Sequence, residues 1–163
     1  MTIRPLTPED GPALAEFYAS LSERSKFFFE PFGPEASAWL PDHLAEGASG
    51  AHYVVGLVSD GGEIEGHAFI LAVRSEHPTL GIGLRDRVHG QGWGRRMMQH
   101  VLAWADAAGL PAVELTVVRA NTRAQALYRS FGFVQTGDAT FRSPNDSLAM
   151  RRERPPLLGA AVR

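Results

Sequence analysis

At 163 residues the chain is the size of one domain, long enough to bury roughly two thirds of its unfolded surface in a single core. Hydrophobic residues at 44% and charged residues at 21% exclude a disordered, collagen-like or membrane-embedded chain, and a net charge of −2 gives no overall pull towards nucleic acid. With no cysteine, disulfides, thiolate catalysis and Cys-ligated zinc are excluded, and the six histidines lack the H-x-x-x-H spacing that would suggest another metal site. Residues 1–154 are expected to form one domain, with 155–163 a flexible tail because Pro155-Pro156 stops any regular element. The start, Met1-Thr2-Ile3-Arg4-Pro5, lacks the apolar core of a signal peptide, and no apolar run approaches the ~20 residues of a spanning helix, so a cytoplasmic protein without membrane contact is expected.

A short strand over 2–6 leads into Thr7-Pro8-Glu9-Asp10, which carries a cap residue, a first-turn proline and first-turn acids, and so starts a helix. Leu14, Phe17, Tyr18 and Leu21 repeat at helical spacing along it. Phe27-Phe28-Phe29 reads as wall or core. A second helix follows Pro34, with Ala36, Trp39, Leu40, His43 and Leu44 on one face. Residues 51–59 and 63–73, joined by Asp60-Gly61-Gly62, form an antiparallel hairpin. Residues 79–84 are the next strand, and 92–108 the longest helix, turning Met97, Met98, Val101, Leu102 and Ala105 inward until Gly109-Leu110-Pro111 ends it. A buried strand over 112–118, a helix from Asn121-Thr122 and a last hairpin, about 133–142 and 147–153 around Ser143-Pro144-Asn145-Asp146, complete a mixed α/β sheet with helices on both faces.

The sharpest feature is His89-Gly90-Gln91-Gly92-Trp93-Gly94, between a strand and the longest helix. Glycines let the chain curl so that several N–H groups converge, and the helix dipole adds about half a positive charge at the same point, so an anion such as a pyrophosphate suits the loop. Arg95-Arg96 after the last glycine, in place of Lys-Ser/Thr, excludes a nucleotide P-loop, and the Gly-x-Gly-x-Gly spacing after four strands and two helices argues against a dinucleotide fingerprint.

On these residues the sequence resembles the GCN5-related N-acetyltransferase (GNAT) family, whose Gln/Arg-x-x-Gly-x-Gly/Ala signature opens its longest helix, with His89 here in place of Gln or Arg. A second block, Glu114-Leu115-Thr116-Val117, then Asn121-x-x-Ala124-x-x-Leu127-Tyr128 and Gly132-Phe133, looks like the family's strand, helix and turn. The resemblance covers about 2–153 and is strongest at 79–134. It implies a mostly antiparallel central sheet with a splayed pair of strands at the cofactor site. Acetyl-CoA would be the cosubstrate, with no metal, and its acetyl group would pass directly to a small-molecule or peptide amine. The other reading is a non-catalytic acyl-CoA-binding or regulatory module with the same fold. The resemblance further implies cofactor contacts at Leu84, His89, Gly90, Gln91, Gly92, Trp93, Gly94 and Arg95, main-chain contact being expected at Leu84, and at Asn121, which is equally an ordinary helix cap. Tyr128 matches the family's frequent general acid, although spacing alone reads it as packing. For the base, Glu114 is the candidate carboxylate, with His67, Glu76, His77 or water as alternatives. The family habit of pairing through sheet edges implies a homodimer.

Overall fold

The computed structural model describes residues 1–33, 35–139 and 146–156. Seven strands form one sheet in the order β1-β2-β3-β4-β5-β7-β6: β1 Thr2–Pro5, β2 Tyr53–Val58, β3 Ile64–Leu71, β4 Thr79–Leu84, β5 Ala112–Val118, β6 Val134–Asp138 and β7 Ser147–Glu153. Every neighbouring pair is antiparallel except β4 and β5. Among the described residues five α-helices complete the fold: α1 Gly11–Ser20, α2 Glu23–Phe28, α3 Ala36–Ala48, α4 Trp93–Ala107 and α5 Thr122–Ser130. Among the described residues no helix is long and apolar enough to cross a membrane.

Side chains alternate across a strand, so a strand covered on both faces feeds two cores. Val55, Leu57, Ala68, Ile70, Leu80, Leu115 and Val117 point to the α4 face, where they meet Met97, Met98, Val101, Leu102 and Ala105, the five helix positions expected to turn inward. Val54, Val58, Ile64 and Phe69 point to the other face, beneath α1 and α3, against Leu14, Phe17, Leu40 and Leu44. The α1–α3 layer covers the first four strands only. Over β5, β7 and β6 that face is open, and Thr116, Val134 and Thr136 are exposed.

Three local differences from the sequence reading have physical causes. Thr7-Pro8-Glu9-Asp10 opens with a separate 3-10 turn, because Asp10 caps back onto the Thr7 N–H at 2.8 Å, and α1 begins only at Gly11. Trp39, read as part of the inward face of α3, is 58% exposed, while Leu40, His43 and Leu44 carry the burial. The Phe27-Phe28-Phe29 run is not simply wall: it is the end of α2, with Phe27 exposed and only Phe29 folded onto the sheet. The expected turn at 143–145 and the tail from 157 lie outside the described residues.

β4 has a feature that explains its Gly81-Ile82-Gly83 core. A Cβ built on Gly81 would lie 2.2 Å from the Phe69 ring, and one on Gly83 would lie 2.1 Å from the Phe29 ring. Both rings thus rest directly on the strand backbone, and neither position has room for a side chain.

Candidate active site

The parallel pair β4 and β5 is joined at a single register position, Thr79 with Glu114, where the Glu114 N–H donates to the Pro78 carbonyl at 2.8 Å. Beyond it the strands part. The neighbouring β3–β4 ladder continues to the end of β4, where the Arg85 N–H donates to the Glu65 carbonyl at 2.8 Å. Along an antiparallel strand the main-chain groups alternate between its two sides, so the N–H and C=O of Ile82 and Leu84 point away from β3 into the gap. An unpaired backbone edge between two strands of a closed core needs a partner.

The gap leads to the N-terminus of α4. Gly90 has φ +76° and Gly92 φ +82°, a left-handed conformation that glycine adopts without strain, and Gly92 is the N-cap of a 15-residue helix. No side-chain cap bonds the first amides of α4, so its N–H groups and dipole face the loop's concave side. Gly94 serves differently: it is helical, and a Cβ there would meet Leu84 at 3.4 Å and Leu127 at 3.7 Å. This places the end of β4, the start of α4 and the middle of α5 around one mouth.

The approach to the loop is fixed by charge. Arg87 spans the buried Glu65 and the exposed Glu63, and Asp86 accepts from the hydroxyls of Ser22 and Ser25 at 2.8 Å each. Desolvation would raise the Asp86 carboxyl, but the serine bonds outweigh it and hold it below the usual range. The turn preceding the glycine loop is thereby tied both to β3 and to the start of α2.

The remaining expected contact residues divide. His89 does not turn towards the loop. Its Nε2 donates to the Leu84 carbonyl at 3.0 Å, so that carbonyl is already engaged and Ile82 offers the free pair of main-chain groups. The Gln91 side chain bonds the Arg87 carbonyl at 2.9 Å and braces the loop from within. Trp93 packs on the core under the Arg96 guanidinium, 4.7 Å above its ring. Arg95 reaches α5, bonding the Ser130 hydroxyl at 3.2 Å and covering Phe131. Asn121 is an N-cap, its side chain accepting from the Ala124 N–H at 3.2 Å, and its Nδ2 group bonds none of the described residues.

Tyr128 lies in the core shared by β4, β5 and α4, 8% exposed, and its hydroxyl bonds none of the described residues. Burial pushes its phenol up to about 12, so the group stays protonated through the neutral range.

Glu114 sits where the cleft closes. Its Oε1 receives both Arg151 Nη1 at 2.7 Å and His77 Nδ1 at 3.0 Å. Desolvation alone would raise its carboxyl, yet the bonds from His77 and Arg151 outweigh this and hold it below the ordinary glutamate value. A carboxylate stabilised in this way is a good anion and a weak base. Of the alternatives, His67 is fully buried, bonded to Tyr18 and His43 away from solvent, and Glu76 is exposed. Arg151, Ile82 and Thr136 escaped the sequence reading. Arg151 is 37 residues from Glu114, and only the β5–β7 register, which sets the two opposite each other, brings them together.

Comparisons with known proteins agree with this geometry. The profile of the Acetyltransferase (GNAT) family matches residues 15–133. Searched against curated proteins, the sequence has no significant match. Among solved structures, a GNAT-family acetyltransferase from Streptococcus pneumoniae superposes with a TM-score of 0.79 at 24% identity, covering 94% of this chain and 99% of that one. The ribosomal-protein-S18-alanine N-acetyltransferase from Escherichia coli gives 0.74 at 21% identity, over 99% of both chains. The PaiA N-acetyltransferase from Thermoplasma acidophilum, solved in complex with coenzyme A, gives 0.73 at 15% identity, over 93% of this chain and 98% of that one.

Proposed function

The chain belongs to the GNAT acetyltransferase family, and from that premise we propose that it transfers the acetyl group of acetyl-CoA directly to a primary amine, with both substrates bound together. The observation that carries this reading is the parted β4–β5 pair, whose unspent main-chain groups at Ile82 lead straight to the uncapped amides of α4. An acyl-CoA has the matching chemistry: an amide-bearing arm to pair with a strand edge and a pyrophosphate for a helix N-terminus. The PaiA enzyme's complex with coenzyme A supports the same assignment by likeness of fold. Bound there, the thioester supplies the activated acetyl group.

The chain's own residues then have definite tasks. Amides of the Gly90–Gly94 loop hold the pyrophosphate, Ile82 and the Leu84 N–H align the arm, and Asn121 Nδ2 is free to donate to it. The Tyr128 hydroxyl donates its proton to the departing sulfur, and the amine gives up its own proton to water at the open face of β5. The chain has no cysteine thiol to carry an acyl group, and direct transfer requires none.

Replacing Tyr128 with Phe tests the reading. The change removes one oxygen and keeps the ring, so packing loss is small. General acid catalysis contributes ~10²–10⁴-fold, so kcat should fall at least tenfold while the acetyl-CoA Kd stays within about twofold. Because burial pushes the phenol up to about 12, the wild-type rate should show no alkaline fall from this group below pH 10. Wild-type turnover by the Phe variant would make Tyr128 a packing residue.

The second reading, an acyl-CoA-binding module without catalysis, draws on Glu114, since that carboxylate is tied to Arg151 and His77. Thiol release from acetyl-CoA that depends on added amine excludes it.

A further inference from the structure

Beside the cleft the open face of the sheet forms a cavity of about 260 Å³, lined in part by Thr79, Glu114, Thr116, Thr136, Ala149 and Arg151. Thr79 and Glu114 are also the last paired position before β4 and β5 separate, so the cavity and the cleft share a wall. At this volume it lies below the ~300–1,000 Å³ of pockets that hold drug-sized ligands, which suits a short acceptor.

Its electrostatics select the acceptor's charge. Arg151 and His77 both bond the same oxygen of Glu114, Oε1, and no described residue bonds Oε2. Arg151 is divided between two carboxylates, with Nη1 on Glu114 and Nε on Glu153, each at 2.7 Å. Glu114 and Arg151 are the charged residues of the cavity's lining, and the Arg151 guanidinium is shared between Glu114 and the more exposed Glu153 outside it. An anion brought here would meet the Glu114 carboxylate and a guanidinium already bonded to two carboxylates. A cation finds a free carboxylate oxygen and three threonine side chains with hydroxyls to complete its hydrogen bonds.

Resting on the acetyltransferase reading above, we propose that this cavity is the acceptor subsite and that Glu114 Oε2 anchors a second cationic group, so that the preferred acceptors are short diamines. Glu114 is then a binding residue, and the reacting nitrogen lies at the other end of the acceptor, in the cleft.

Three acceptors of equal chain length test this with the full protein: 1,4-diaminobutane, 1-aminobutane and 4-aminobutanoate, assayed by thiol release from acetyl-CoA. The wild type should favour the diamine over the monoamine at least tenfold in kcat/KM, and disfavour the amino acid further. In Glu114→Gln the diamine advantage should shrink to within about twofold, through KM, with the acetyl-CoA Kd unchanged. Equal rates for the three amines, preference for 4-aminobutanoate, or a diamine advantage that survives in a folded Glu114→Gln protein overturns the subsite. The wild-type comparison decides the matter even where the variant fails to fold. Failure of the underlying reading looks different: no acetyl-CoA binding by calorimetry, or no amine-dependent thiol release with any acceptor.

Discussion

Gly92→Asp is expected to weaken acetyl-CoA binding at least a hundredfold in a protein that remains folded. The fold should tolerate the change for three reasons. Nothing lies within 4 Å of a Cβ at Gly92, Asp is among the residues that enter the left-handed region, and Asp is a favourable N-cap chemistry for α4. The remaining strain, about 1–2 kcal/mol, is small against a domain stability of roughly 5–15 kcal/mol. Binding has no such tolerance. A carboxylate about 4 Å from a phosphate oxygen is repelled by about 4 kcal/mol at an effective dielectric of 20, and half of that already costs roughly thirtyfold before the second phosphate is counted. Gly92→Ala separates strain from charge and should lose less than tenfold. Calorimetric titration with acetyl-CoA alongside a melting curve provides the measurement, and a folded Asp variant with wild-type affinity would remove the loop from the cofactor site.

Mild acid should destabilise the protein through two histidines that take no part in the proposed chemistry. His67 is fully buried on β3, its Nδ1 2.8 Å from the Tyr18 hydroxyl and its Nε2 3.2 Å from Nε2 of His43 on α3. Phe32 and Phe69 pack about this pair, and His43 Nδ1 has no partner among the described residues. Such a cage suits neutral rings and penalises a charge. Burial first, then neighbouring His52, lowers His43 to about 4, and burial, then His43, holds His67 well below its ordinary value. Unfolded, both titrate near 6.5. Protons therefore favour the unfolded chain as pH drops from about 6.5 towards 4, and stability present at pH 7 is lost across that window. His43 alone accounts for about 2–3 kcal/mol at pH 4.5. Urea denaturation at pH 7 and 4.5 measures the loss. In a His43→Leu/His67→Phe protein the difference between the two pH values should shrink by at least that amount. An unchanged difference would assign the acid sensitivity to carboxylates, whose window lies lower.

What the sequence revealed follows from how local each signal is. α4 was legible because its five inward positions and its glycine start lie within sixteen residues, and β4 because Leu80, Ile82 and Leu84 recur with a strand's period of two. Asn121 was readable as a cap for the same reason. α2 was not, since six residues carry little periodicity and its start is held by Asp86, more than sixty residues away. Nor could the direction of the His89 side chain be read from its motif, which specifies the position and not the carbonyl the ring finds. Glu114 was named as the candidate carboxylate, but its partners arrive from β7 and from the loop before β4, so its character as a tethered anion emerges only in three dimensions. The pairing of His43 with His67 likewise requires α3 to settle over β3.

The single register position between β4 and β5 has a mechanical consequence. On one side of the seam β1–β4 form one plate and on the other β5, β7 and β6 form a second, each laced by antiparallel ladders several residues long, while along the seam the plates meet at Thr79 and Glu114. α4 and its core residues straddle both plates from one face, and the aromatic rings on Gly81 and Gly83 stiffen the first from the other. An acyl-CoA arm laid along Ile82 would act as a rivet through the seam. Occupancy of the cleft and rigidity of the whole sheet would then rise together, so that the empty protein is a jointed object and the loaded one a single piece.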